Sequence, residues 1–102
     1  MDYTKDQLMK IRENFGLISI NAITVLNTIK EENGINHTDI HHKADLSKFV
    51  TDKIIAAFLG AGLVKRVDDG TKRFYTITED GKKLLELDEE EKKNGEYQVT
   101  RS

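Results

Sequence analysis

Residues 46–81 constrain the fold of this sequence most, because the spacing of their apolar side chains changes partway along the stretch. In the first half, apolar residues recur at the intervals of one helix face. The second half holds two runs rich in β-branched and aromatic residues, 63–67 and 72–77, joined by a segment that contains Asp69-Gly70. Asp-Gly between two such runs favours a tight hairpin. The stretch therefore predicts a helix, a β-hairpin and the start of another helix.

The predicted helix divides into an apolar face and a more polar face. Ser47 is its predicted N-cap, and Gly60 and Gly62 are predicted to end it. Five residues fall on the face that we expect to enter the core: Val50, Ile54, Ala57, Phe58 and Ala61. The opposite face carries Lys48, Phe49, Asp52, Lys53 and Ala56. A helix with this division is suited to lie against a flat partner with its short and charged side chains outward.

The predicted hairpin has one face towards the helices and several cations near its tip. Alternation along the second strand places Tyr75 and Ile77 on the inward face. The cations that flank the tip are Lys65, Arg66, Lys72 and Arg73. After the hairpin, Thr78 is the predicted N-cap of a last helix, which Asn94-Gly95 is predicted to end.

Three further helices are predicted before this stretch. The first ends near residue 16, the second covers residues 17–32, and the third covers about residues 37–45. Thr4 is the predicted cap of the first helix, and Asn36 or Thr38 caps the third. Gly34 suits the left-handed position after the second helix, and Ile35 is predicted to form a short β-bridge or a loop.

The 102 residues correspond to one small domain, which we predict over residues 1–95, followed by a flexible tail over residues 96–102. The net charge is −2, but its distribution is uneven. Residues 41–83 carry +3, whereas residues 1–40 carry −2 and residues 84–102 carry −3. No secretory signal and no membrane-spanning run are recognisable, so we expect a cytoplasmic protein.

A histidine cluster is the only candidate metal site in the sequence. His37 and His41 share a helix face, and Asp45 follows one turn later, which is a spacing that can ligate zinc. The chain has no cysteine and only three histidines, so a complete site needs ligands from a second copy. We therefore predict no metal and no cofactor, and we expect a histidine near a phosphate or in a helix–helix contact instead. No arrangement of catalytic side chains has a supporting motif, and we predict that the protein is not an enzyme.

Two segments carry a family resemblance. The sequence AGLVKR at residues 61–66, followed by RFYTITEDG at residues 73–81, resembles the winged helix-turn-helix of bacterial regulators of the MarR, ArsR and PadR type. The same region resembles the small TubR-type centromere-binding proteins, including the ENG at residues 32–34. The resemblance implies a mainly α (α+β) fold, a recognition helix from Ser47 to about Leu59, and a two-stranded wing from Lys65 to Arg73. It also implies flanking helices that form a homodimer.

This resemblance implies a sequence-specific protein that binds double-stranded DNA as a homodimeric transcriptional regulator. The alternative is a centromere-binding adaptor of a plasmid or phage partition system, whose partner is a tubulin-like GTPase. A second alternative is a winged helix that binds proteins through a patch of Phe49, Ile55 and Leu59. In either DNA role the protein is expected at the nucleoid or on a plasmid.

A recognition helix in the major groove assigns roles to individual side chains. Ser47 and the first backbone N–H groups hold a phosphate, Lys48 and Lys53 reach phosphates or guanine, and the wing cations follow an adjacent phosphate run. Phe49 contacts a thymine methyl group, and Asp52 accepts a hydrogen bond from cytosine. The predicted DNA-binding residues are Ser47, Lys48, Phe49, Asp52, Lys53, Lys65, Arg66, Lys72 and Arg73.

Overall fold

The computed structural model describes residues 3–18 and 21–101, with the backbone alone for residues 17–18 and 94–101. Along this part of the chain the elements are α1 (Lys5–Ile18), α2 (Ala22–Glu31), β1 (Ile35–Asn36), α3 (His37–Lys43), α4 (Lys48–Ala61), β2 (Val64–Asp69), β3 (Lys72–Ile77) and α5 (Glu79–Arg101). The helices contain many more residues than the strands, and the hairpin β2–β3 follows α4 directly. The predicted mainly α fold with a two-stranded wing is confirmed.

The core lies where α4 is enclosed by α1, α2, α3 and the base of the wing. Phe58 of α4 is completely buried and packs edge-on against Phe15 of α1, with ring centroids 4.8 Å apart. Ile40 of α3 and Leu26 of α2 are also fully buried. Burial of side chains this large stabilises the fold by about 1.5–3 kcal/mol each. Apolar contacts from every helix around it therefore hold α4 in a defined orientation.

Three antiparallel strands form one small sheet in the order β1–β3–β2. Ile35 pairs with Tyr75, which confirms the predicted short β-bridge, and β2 pairs with β3 from Val64–Ile77 to Asp69–Lys72. The loop of the hairpin is therefore only Gly70-Thr71, with Gly70 at a left-handed φ of 63°. Tyr75 and Ile77 are buried, as the alternation predicts.

The buried face of α4 is rotated relative to the predicted one. Ile54 and Phe58 are buried as expected, but Thr51 and Ile55 complete the buried stripe. The predicted inward residues Val50, Ala57 and Ala61 are only half-buried. The reason is that α4 contacts helices on one side and β2 on another, so its buried arc is wider than a single stripe.

Several predicted helix boundaries are wrong. The helix predicted over residues 17–32 begins only at Ala22, residues 17–18 belong to α1, and residues 19–20 lie outside the described residues. The third helix ends at Lys43, two residues before the predicted end, because Asp45 adopts a φ of 55°. Gly60 lies inside α4, and only Gly62 takes the left-handed capping position.

The last helix is longer than predicted. α5 continues through Asn94-Gly95 to Arg101. A glycine inside a helix costs only about 1 kcal/mol, so this dipeptide weakens the helix without ending it. The single-domain boundary and the flexibility of residues 96–102 stay predictions. Among the described residues, none of the helices has the length and apolar character needed to cross a membrane.

Two side chains from other parts of the chain bond to carbonyls at the end of α4. The hydroxyl of Thr78 donates to the carbonyl of Gly62 at 2.7 Å and accepts from the backbone N–H of Gly81 at 3.1 Å. The hydroxyl of Tyr3 donates to the carbonyl of Ala61 at 2.7 Å. These bonds satisfy carbonyls that the end of a helix leaves unpaired, and they connect the segment before α1 and the start of α5 to the end of α4.

Candidate nucleic-acid interface

The outward face of α4 begins at a well-capped N-terminus. The hydroxyl of Ser47 accepts a hydrogen bond from the backbone N–H of Val50 at 3.2 Å, which confirms Ser47 as the N-cap. All five residues predicted for the outward face are exposed: Lys48, Phe49, Asp52, Lys53 and Ala56. This face is free because the core contacts are made by the opposite side of the helix. The prediction of which side chains α4 presents to solvent is confirmed.

The four predicted wing cations are all exposed, but they lie on two faces of the hairpin. Residues paired across an antiparallel ladder share a face. Arg66 pairs with Tyr75, so Arg66 and Arg73 share the inward face with Tyr75. Lys65 and Lys72 are on the opposite face. Only two of the four cations therefore lie on the side of the wing that faces the helices.

A cleft of about 380 Å³ brings three elements together at the base of the wing. Its lining residues are His37, Thr38, Lys48, Asp52, Arg73 and Tyr75. Lys48 of α4 and Arg73 of β3, which are far apart in the sequence, thus border one concave surface with the first residues of α3. The cleft is suited to an anionic group, since two cations border it and Asp52 is the one carboxylate among its lining residues.

The carboxylate of Asp52 is engaged inside this cleft. The Nε2 atom of His37 lies against the carboxylate of Asp52, although the contact lacks the geometry of a hydrogen bond. His37 comes directly after Asn36, whose side chain accepts from the backbone N–H of Asp39 at 2.8 Å and caps α3. The cap therefore begins α3 at His37, whose ring lies beside Asp52. The predicted role of Asp52 as a partner of cytosine must compete with this contact.

His37 and Thr38 border the same surface as the recognition helix, and neither was among the predicted DNA-binding residues. The histidines were considered for a metal site and, in preference to it, for a place near a phosphate or in a helix–helix contact, whereas Thr38 was considered only as a helix cap. The available signal was the short spacing between α3 and α4, since a two-helix unit of this kind brings the start of both helices to one side. β1, which leads directly into α3, pairs with β3 and so places the wing beside the start of α3.

Acidic side chains offset part of the positive charge of the wing. Arg66 lies 3.4 Å from Asp68, measured from Nε to Oδ1. Asp69 is paired with Lys72 across the hairpin, and Asp68 is paired with Arg73. Arg66 is thus partly neutralised, whereas Lys48 and Lys53 lie on an α4 face whose only acidic member is Asp52. The electropositive part of the surface is the start of α4.

The histidine cluster is not arranged as a metal site. The rings of His37 and His41 are 6.0 Å apart, and those of His41 and His42 are 4.2 Å apart. His37 instead contacts Asp52, and Asp45 lies beyond the end of α3. Among the residues that the structure describes, no group of three or more suitable side chains could hold a metal ion.

The predicted protein-binding patch of Phe49, Ile55 and Leu59 does not form as such. Ile55 is only 3% exposed because it belongs to the buried stripe of α4, and Leu59 is half-buried against the core. Only Phe49 of the three is a free apolar side chain. The assignment of Ile55 to an exposed patch is wrong, because the buried face of α4 is rotated from the predicted one.

The order of α3, α4 and a β-hairpin is matched by a sequence family. The model of the winged helix-turn-helix family matches residues 19–96, most of the chain. The chain belongs to the winged helix-turn-helix family. The predicted family is thereby confirmed, and α4 and the hairpin β2–β3 are its recognition helix and wing. This is a family of DNA-binding regulators and not of enzymes. No curated protein matches the sequence.

Solved structures show the same fold. MepR, a transcription regulator of the Staphylococcus aureus multidrug efflux pump MepA, is 15% identical with a TM-score of 0.73, over 92% of this chain and 73% of that one. A MarR protein from Peptoclostridium difficile is 25% identical with a TM-score of 0.68, over 83% and 57%. FabT of Streptococcus pneumoniae, in complex with DNA, is 11% identical with a TM-score of 0.64, over 82% and 61%.

The chain is shorter than these proteins. It spans 57% of the length of the P. difficile protein and the same share of another MarR family transcription regulator, with which it has a TM-score of 0.71. The likenesses therefore show the fold of this chain.

Proposed function

We propose that this protein is a homodimeric transcription regulator that binds double-stranded DNA in a sequence-specific way. The observation that carries the proposal is the convergence of Lys48 and Arg73 on one cleft, beside an exposed recognition helix. The winged helix family and the likeness to FabT, which was solved with DNA, support it. The nine predicted DNA-binding residues all belong to α4, its cap or the wing.

The electrostatics of this face suit the phosphate backbone. The recognition helix and wing carry six cations against Asp52, Asp68 and Asp69. Cations that neutralise phosphates release counterions, and each contact adds roughly −0.9 to the slope of log affinity against log salt concentration. Ser47 and the first N–H groups of α4 supply a further phosphate site at the helix N-terminus. The proposed roles are phosphate contacts for the cations and base contacts for the outward residues of α4.

Selection from a pool of random-sequence duplexes tests this function. A homodimer that places two recognition helices in successive major grooves should enrich an inverted repeat with half-site centres about 10 base pairs apart. The pool should be incubated at low salt, and bound duplexes should be sequenced after repeated rounds. Failure to retain any duplex at low salt would exclude DNA binding. Enrichment of one unpaired half-site would exclude the homodimer.

The partition role stays a prediction, and the same selection distinguishes it. If the protein is a regulator, the selected motif should occur as single sites upstream of genes in the source genome. If the protein is a centromere-binding adaptor, the motif should occur as a tandem array of repeats beside a gene for a tubulin-like GTPase. Mapping the selected motif onto that genome therefore decides between the two DNA roles.

A further inference from the structure

Phe49 is the second residue of α4, and 77% of its surface is exposed. Among the described residues, Phe49 and Val67 are the only large apolar side chains that stay exposed. An aromatic ring left in water contributes little to folding, because the hydrophobic gain comes from the area removed from water. The ring therefore requires an explanation outside the core.

The surroundings of Phe49 are charged rather than apolar. Lys48 precedes it, and Asp52 and Lys53 follow one turn later on the same face, all of them exposed. A single phenylalanine buries about 150–250 Å² when covered, which is less than the few hundred Å² of a typical protein-binding patch. Because Ile55 is buried and Leu59 half-buried, no apolar patch extends from the ring along α4. An isolated ring between cations suits a partner that is polyanionic and carries small apolar groups.

The major groove of DNA has this chemistry. Phosphates line its edges, and the C5-methyl group of thymine is the apolar group that a base pair presents in it. The first residues of a recognition helix are those that approach base edges. Lys48 and Lys53 lie to either side of the ring and can contact phosphates while the ring enters the groove. Wedging between base steps is a minor-groove mode and does not suit a helix that lies in the major groove.

We propose that Phe49 reads the C5-methyl group of a thymine and makes thymine a determinant of the recognised sequence. The inference rests on the proposed DNA binding and adds the chemical group that is recognised. Its physical basis is the removal of the ring and the methyl group from water when they meet. Replacement of that thymine by deoxyuridine removes only the methyl group and leaves the hydrogen-bonding edge of the base unchanged.

The test uses the duplex obtained by the selection above. Each thymine is replaced in turn by deoxyuridine, and the affinity of the full chain is measured by fluorescence anisotropy. Wild-type protein should lose affinity about fourfold per half-site at one thymine position, which is the change produced by one methyl-sized group that is no longer buried. Phe49→Ala should bind the thymine and deoxyuridine duplexes equally well.

Lys30→Ala is the matched control, since Lys30 is an exposed residue near the end of α2, outside the recognition helix, the wing and the terminal helices α1 and α5. It should keep the full difference between thymine and deoxyuridine. Thermal melting should be unchanged in Phe49→Ala because its ring is exposed. A methyl effect of equal size in wild type and Phe49→Ala would overturn the inference, although DNA binding itself would stand. Loss of self-association by Phe49→Ala in light scattering would also overturn it, by assigning the ring to a protein contact.

Discussion

Gly81 lies in the first turn of α5, where the backbone passes close to the end of α4 and the wing. A Cβ atom on Gly81 would lie 2.4 Å from the carbonyl oxygen of Leu63 and 2.7 Å from Cγ1 of Ile77. The close approach is set by Thr78, which bonds to the carbonyl of Gly62 and to the N–H of Gly81. The glycine at the end of the RFYTITEDG segment is therefore required by packing and not by backbone conformation.

Substitution Gly81→Ala should destabilise the protein by about 3 kcal/mol, at the upper end of overpacking effects, because a backbone oxygen must move. Gly60 is the control, since it is also helical but its Cβ would meet no atom within 4 Å. Gly60→Ala should stabilise by about 0.5–1 kcal/mol through helix propensity. Urea denaturation of both variants gives these values. Equal stability of the two would show that the Leu63 carbonyl can move freely.

At the scale of elements, the packing of α1 against α5 depends on a largely buried carboxylate. Asp88 of α5 is 4% exposed and accepts from Nε of Arg12 of α1 at 2.8 Å. Lys92 lies 3.2 Å from its other oxygen. Lys5, the first residue of α1, lies 4.0 Å from Glu90 of α5, and both side chains are mostly exposed. The two pairs connect the same helices but differ in burial.

Removal of the buried partner should cost more than removal of the exposed one. Arg12→Ala should lower the free energy of unfolding by about 2 kcal/mol, because it leaves a buried carboxylate short of a hydrogen-bond donor. Lys5→Ala should change it by no more than about 0.5 kcal/mol, since exposed pairs contribute little. Chemical denaturation measures both values. Similar losses of stability in Arg12→Ala and Lys5→Ala would mean that the burial of Asp88 does not strengthen its contact with Arg12.

The helices also show which local signals were reliable. The caps predicted at Thr4, Asn36 and Ser47 each make the expected hydrogen bond. The predicted start of α2 and the predicted end of α5 were wrong. Caps were predictable because they involve residues close together in the sequence. Asn94-Gly95 was misleading because a weak helix former does not end a helix by itself.

At the scale of the whole molecule, a protein of net charge −2 presents a basic surface only where its elements converge. Residues 41–83 carry the positive charge and contain α4 and the wing, whereas the acidic regions at either end contribute α1, α2 and most of α5. Affinity for DNA should therefore depend on a few cations of this one face and not on total charge.

Single cation substitutions should reveal this dependence. Lys48→Ala and Arg73→Ala should each reduce the slope of log affinity against log salt concentration by about 1.8 for a homodimer, from one lost phosphate contact in each protomer. Lys30→Ala, at an exposed residue of α2, should leave the slope unchanged. Anisotropy titrations between low and moderate salt give the slopes, and thermal melting should be the same for all three, since each side chain is exposed. A lower melting temperature for Lys48→Ala or Arg73→Ala would mean that the side chain has a packing role.

The sequence by itself determined the helix caps, the tight hairpin and the inward strand residues Tyr75 and Ile77. These features depend on neighbours in the chain, such as Ser47 with Val50 or the Asp-Gly turn with its flanking strands. Only the tertiary structure decided which arc of α4 is buried, because that arc depends on four surrounding elements. It also decided that His37, Lys48 and Arg73 border one cleft, since their distances depend on how α3, α4 and β3 pack together.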